Sequence, residues 1–213
     1  MAIRMVVRRA TPEDSRAIAT IHVLSWQAAY QSIVPAQFLA SMSVDERERI
    51  WQQRLEQPAQ GTWVLEEHGG VLGWISAGPS RDTDALSSTS ELWAIYVDPR
   101  HWRRGVGQRL WGEVEDQLRR SGFSEVTRWV LQENAGALGF YRSNGFAVDG
   151  IEKTVELGGT ELVEIRLRKW VRRSESRPVR RSESRPLRGR LILRGSDPTT
   201  VKLTPSFRVF QAA

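Results

Sequence analysis

The sequence predicts a mixed α/β domain (α+β in class) over residues 1–170, followed by a basic, low-complexity tail over residues 171–213. Three observations predict it. Short apolar runs bounded by Gly, Pro and Asn alternate with stretches whose apolar residues recur every three or four positions. The run ELWAIYV, residues 91–97, is apolar on both faces and reads as a central strand. Composition then changes at residue 171. Eleven of the 31 Lys and Arg and only three of the 25 Asp and Glu lie in the tail, which leaves twenty basic and twenty-two acidic side chains before it.

The elements follow in order. IRMVVR, residues 3–8, reads as a short strand. Thr11-Pro12-Glu13-Asp14 is a helix start, with a capping residue, a proline for the first turn and acid near the positive end. Ile18, Ile21, His22 and Ser25 continue one helical face until Pro35 breaks it. Ile50, Trp51 and Leu55 mark a second helix over 44–55. TWVLEE and VLGWISA flank His68-Gly69-Gly70 as a hairpin, and residues 78–90 read as a polar loop at the acceptor side. Val106, Leu110, Val114 and Leu118 give the clearest amphipathic helix, over 105–121. SEVTRWVL is a strand, residues 134–143 a helix, and FAVDG and TELVEIRLR the last strands, joined at Gly158-Gly159. The predicted order is strand, two helices, three strands, helix, strand, helix, two strands.

The function classes narrow from composition. The net charge of +6 first suggests a nucleic-acid binder, but the charge resides in the tail and the domain is mildly acidic. The chain has no cysteine, so disulfides, thiolate metal sites and cysteine nucleophiles are excluded. No two histidines show ligand spacing, and no metal is expected. MAIRMVVRRA has no apolar leader core and no later run is of membrane-spanning length, so a cytoplasmic location without membrane partners is expected. In the tail VRRSESRP occurs twice, at 171–178 and 179–186. Two copies are too few for a stacked repeat, and the composition predicts disorder. Any nucleic-acid binding is expected only through this segment.

Residues 98–108, DPRHWRRGVGQ, put two glycines and two arginines at a helix start after a buried strand. The first amides of a helix lack internal partners and its dipole favours an anion there. The Walker pattern fails for want of Gly-Lys-Ser/Thr, and the dinucleotide pattern fails at Leu110. A tight turn with solvated charge remains an equal reading of these residues alone.

ELWAIYVDPRHWRRGVGQRLW resembles the acyl-CoA-binding motif of the GCN5-related N-acetyltransferase (GNAT) superfamily, with Q/R-x-x-G-x-G/A falling on Trp102 to Gly107. Trp102 departs from the usual Gln or Arg. LQENAGALGFYRSNGF is similar to the downstream motif of the same family, through Asn134, Tyr141, Gly145 and Phe146. The resemblance covers about residues 3–169. It implies a mostly antiparallel central sheet flanked by helices, and transfer of an acetyl group from acetyl-CoA to a primary amine by direct attack in a ternary complex. Arg103, Arg104, Gly105, Val106, Gly107 and Gln108 would then hold the pyrophosphate. The backbone at Ile95 and Val97 would pair with the pantetheine arm, which Asn134 would also bond. Tyr141 would donate to the departing sulfur.

Such a transfer needs a neutral amine, stabilisation of an oxyanion and a proton for the thiolate. Glu91 is the candidate base, with a solvated strand end as its plain alternative and His22 as runner-up. Trp26 and Tyr30, four apart on one helix face, either wall the acceptor pocket or pack as core. Asn134 also reads as an N-cap and Tyr141 as ring packing. The acceptor is a small-molecule or peptide amine, and a homodimer is compatible with exposed strands. A non-catalytic acyl-CoA sensor and a tail-driven nucleic-acid binder are the competing readings.

Overall fold

The structure, a computed structural model, describes residues 5–57 and 61–171. The expectations for the tail beyond residue 171, and for Ile3 and Arg4 in the first strand, lie outside the described residues. Strand β1 (Val6–Arg9) leads through a turn at Pro12–Asp14 into helix α1 (Ser15–Ala29). Asp14 fixes that entry. Its carboxylate accepts the Thr11 N–H at 2.8 Å and the Arg8 guanidinium at 2.7 Å. Helices α2 (Ala36–Ala40) and α3 (Val44–Leu55) follow, the latter capped by Ser43, whose hydroxyl accepts the Glu46 N–H. Strands β2 (Gly61–Glu67), β3 (Gly70–Pro79) and β4 (Thr89–Val97) precede helix α4 (Val106–Arg120). Strand β5 (Glu125–Leu131), helix α5 (Ala135–Ser143), and strands β6 (Ala147–Leu157) and β7 (Thr160–Trp170) complete the domain.

Three helices therefore precede β2, where the sequence predicts two. The extra one, α2, has five residues, too few to show a period. β6 runs through Leu157 rather than ending at Gly150. It is an edge strand with Glu152, Lys153 and Glu156 in it, so its charged composition hides its pairing with β7. The polar loop shortens to 80–88, because Gly78, Pro79, Thr89 and Ser90 belong to strands. The hairpin between β2 and β3 turns at His68 and Gly69, both with positive φ (52° and 77°), as a two-residue turn requires.

The seven strands form one sheet in the order β1-β2-β3-β4-β5-β7-β6. Every pair is antiparallel except β4 with β5, which run parallel and match only at Thr89–Glu125, Ser90–Val126 and Glu91–Thr127. Beyond Glu91 the two strands part. The β3–β4 register slips between Ser76 and Ala77, so that Trp93 has no partner on β3 and forms a bulge where the parting begins. Two cores cover the two faces. Leu110, Val114 and Leu118 of α4 pack on one with Leu92, Val126 and Leu167. On the other, Ile18, Trp26 and Trp51 of α1 and α3 pack on Trp74, Ala94 and Tyr96. Burial of each such large apolar side chain stabilises the fold by about 1.5–3 kcal/mol. No helix among the described residues is long and apolar enough to cross a membrane.

Candidate active site

The parting of β4 and β5 is the feature on which the site is built. From Leu92 to Val97 the β4 edge no longer pairs with β5. Its other edge stays paired with β3, at Ile95–Ile75 and Val97–Gly73. The carbonyl of Val97 accepts from Ser25 Oγ at 2.9 Å and from the Trp102 indole at 2.7 Å. Trp102, which replaces the usual Gln or Arg, thus closes the turn after β4.

That turn delivers the chain to the N-terminus of α4. Arg103 and Gly105 both have positive φ (58° and 81°), and Gly105 is the N-cap residue with no side chain to offer. Arg103, Arg104, Gly105 and Gln108 are exposed, while Val106 is buried beneath them. The first-turn amides of α4, which have no partner within the helix, therefore lie next to two exposed cations. Gly107 is small for a different reason: a Cβ there would lie 3.2 Å from the ring of Phe140.

Asn134 caps α5, its Oδ1 accepting the Ala137 N–H at 3.0 Å, and its side chain lies beside the Tyr30 hydroxyl. Tyr141 lies on the same helix with 1 % exposure, its ring edge-on to Phe140 and Phe146. Both packing roles foreseen for these residues are thus present in the structure. The Tyr141 hydroxyl also accepts from Arg128 Nε at 3.0 Å. Burial raises the Tyr141 phenol above its ordinary range, and the Arg128 charge opposes that rise.

Glu91 stands at the last paired position of β4 with no exposure. Arg81 grips it with its backbone N–H (3.1 Å), Nε (3.0 Å) and Nη2 (2.6 Å). Burial alone would raise this carboxyl; the Arg81 hydrogen bonds and charge hold it below its ordinary value of 4.5. A second buried carboxylate, Glu164 of β7, is 3.2 Å from Lys153 Nζ, and burial holds it above the ordinary range. Lys153 Nζ lies 3.7 Å above the Trp129 ring.

Trp26 (1 % exposed) and Tyr30 (0 %) sit in the aromatic core on this face, the Trp26 indole donating to Tyr96 Oη at 2.7 Å. His22 stacks on Tyr96 at 4.8 Å, and burial, then Arg47 and Arg54, push its pKa well down, so it is neutral. Burial and the nearby Arg81 and Arg47 also push Arg54 down to about 10. The loop 80–88 is tied to the sheet, with Arg166 bridging Asp82 and Asp84 and the Trp129 indole donating to Asp82. α2 meets the β6–β7 turn so closely that a Cβ on Gly158 would be 2.8 Å from Phe38 Cβ.

Sequence reasoning passed over Arg81, Arg128, Lys153 and Glu164. The signal was there for one of them: TRWVL places a single charge, Arg128, inside an otherwise apolar strand, where it must be partnered, whereas the alternating charges of LVEIRLR read as a half-exposed strand. No group of three or more His, Asp or Glu among the described residues is placed to hold a metal ion.

The fold and these residues can be set beside known proteins. The profile of the acetyltransferase (GNAT) family matches residues 24–146. The uncharacterized N-acetyltransferase YuaI of Bacillus subtilis (strain 168) is 33% identical over 165 residues, covering 76% of this chain and 91% of its own. The L-methionine sulfoximine/L-methionine sulfone acetyltransferase of Salmonella typhimurium is 29% identical, over 68% of this chain and 81% of its own. Among solved structures, yncA of Salmonella typhimurium, a putative acetyltransferase determined with its cofactor acetyl-CoA, superposes with a TM-score of 0.61 at 24% identity, covering 83% of this chain and 98% of that one. On the profile match and the identity to YuaI, the chain belongs to the acetyltransferase (GNAT) family, whose reaction moves an acetyl group from acetyl-CoA to an amine.

Proposed function

We propose that this N-acetyltransferase acetylates the amino group of a small amine that also carries a carboxylate, an amino acid or close analogue, by direct attack with donor and acceptor bound together. One observation carries the site assignment. A single guanidinium, that of Arg128, touches both the Tyr141 hydroxyl and the β4 carbonyl at the bulge, so the phenol and the parted strand edge meet at one point. The residues present fit acetyl-CoA. The β4 edge that has left β5, at Ile95 and at Val97 apart from its carbonyl, which Ser25 and Trp102 hold, suits an extended amide-bearing arm, as an added strand would pair there. The amides of residues 105–108, with Arg103 and Arg104, suit a pyrophosphate. When bound, acetyl-CoA supplies an activated acyl group.

The protein's own groups do the rest. Glu91, kept ionised by Arg81, takes the proton that the amine must lose. A backbone N–H at the β4 bulge meets the oxyanion. Tyr141 gives its proton to the departing sulfur. Asn134, beside Tyr30, would bond the donor arm, and Tyr30 and Trp26 would then shape the acceptor side from within the core.

The acceptor class rests on charge. Arg54 stands over the Trp51 ring and feels the charges of Arg81 and Arg47, Arg81 being itself paired with Glu91. A carboxylate on the acceptor would be drawn to this cationic side of the site. The name of the Salmonella relative, which acts on two amino-acid analogues, points the same way. An amine screen with acetyl-CoA, read by thiol release, tests this. Amino acids should be acetylated with kcat/KM at least about 30-fold above that of their amides and decarboxylated forms, in the range of a lost charge-assisted contact. Equal rates for an amino acid and its amide would remove the anionic-acceptor reading and leave the acetyltransferase assignment standing.

A further inference from the structure

Arg128 has no exposed surface, and the reaction as described above leaves its charge without a task. It projects from β5, the strand that parts from β4. Its Nη1 donates to the carbonyls of both Leu92 (3.3 Å) and Trp93 (2.6 Å). Successive carbonyls in a regular strand point to opposite sides; here the bulge at Trp93 turns two neighbours toward one donor. The Nε of the same guanidinium donates to Tyr141 Oη. The planar fork therefore fixes the bulge and the phenol relative to each other, in one rigid group.

We propose that Arg128 is a positioning residue for acetyl transfer: it aims the Tyr141 hydroxyl proton at the parted β4 edge and balances the phenolate that forms when that proton leaves. This rests on the reading of Tyr141 as the proton donor. Arg128 offers the phenol only donors, so the phenol's own hydrogen must point away from the guanidinium. As the amine nitrogen bonds to the acyl carbon, the carbon–sulfur bond breaks and its electron pair goes to sulfur. Tyr141 passes its proton there and becomes phenolate beside a permanent cation. The proton lost by the amine goes to Glu91, and Tyr141 regains one from solvent. A phenol is ordinarily a weaker acid than a thiol, about 10 against about 8.5, so this transfer is uphill without such a counter-charge. Glu91, Glu164, Tyr30 and Tyr96 are the other ionisable groups whose charge bears on Arg128, and the Tyr141 ring is otherwise enclosed by Phe140 and Phe146.

The test is a double-mutant cycle on the full chain, assayed with acetyl-CoA and L-methionine sulfoximine, or with the amine of the screen that is turned over. Arg128→Leu should lower kcat at least about 30-fold in the wild-type background and less than about threefold in a Tyr141→Phe background, where the phenol is already gone. The KM for acetyl-CoA should stay within about threefold. Loss of the cation should move the alkaline limb of kcat to higher pH, since Arg128 is what favours the ionised phenol, and Arg128→Lys should keep the limb near its wild-type position. If Arg128→Leu does not fold, the cycle is read with Arg128→Lys, whose smaller loss should likewise vanish in the Tyr141→Phe background. Equal losses in both backgrounds would overturn the proposal and leave Arg128 a brace of the strand bulge. A Tyr141→Phe enzyme with unchanged kcat would overturn the proton-donor reading itself, and this proposal with it.

Discussion

Glu91 and Arg81 show how one ion pair decides what a carboxylate can do. Burial favours the neutral acid, yet three hydrogen bonds from Arg81 keep it ionised below 4.5. A depressed carboxyl adds stability that is present above its unfolded value and lost as pH falls through its lower folded value. The same shift governs catalysis. With saturating substrates, the acid limb of kcat should lie below 4.5, not near neutrality. Arg81→Met leaves burial opposed by the Arg128 charge without the Arg81 hydrogen bonds, so the limb should move to higher pH. A pH–rate profile that stays put in this variant would mean that Glu91 does not take the proton. The sequence made Glu91 visible, because a strand-opening acid stands out. It left Arg81 as one of several polar residues in a loop, since a loop residue's partner is set by where the chain folds back. Arg128 was hidden differently. A charge in TRWVL says that a partner exists, but only the bulge and α5 say which.

At the scale of elements, α4 was legible because its apolar residues recur over four turns, and its glycine cap follows from the left-handed turn it must make. α2 and the part of β6 beyond Gly150 were not, since five residues show no period and a charged edge strand needs no apolar alternation. Helix α5 holds two glycines in its interior, each costing about 1 kcal/mol relative to Ala. The packing gives no reason for Gly139, as a Cβ there would meet nothing within 4 Å. Gly139→Ala should therefore raise the unfolding free energy by about 1 kcal/mol in urea. If the donor runs past this turn of α5, the variant should also raise the KM for acetyl-CoA several-fold and leave that of the amine unchanged. A gain in stability with no change in either KM would place the donor elsewhere.

At the scale of the whole molecule, the described domain closes on itself at Val171, whose side chain is 2 % exposed and whose N–H donates to the Ser124 carbonyl. This anchors β7 beside the three residues where β4 and β5 still pair, the end of the sheet away from α4's N-terminus. The charge asymmetry is one of sequence: residues 1–170 are mildly acidic and residues 171–213 are basic. The parting of β4 and β5 has a consequence for heat as well as for chemistry. Six residues of a central strand, Leu92 to Val97, forgo backbone pairing with β5, so the sheet is weakly cross-linked at its middle. A ligand that lays amides along that edge acts as an eighth strand, and its binding energy becomes folding energy. CoA at a hundredfold excess over its Kd should add about 2.7 kcal/mol to stability, a rise in Tm of roughly 5–10 °C. The melting temperature of this protein is then itself a gauge of how fully its sheet has been stitched together.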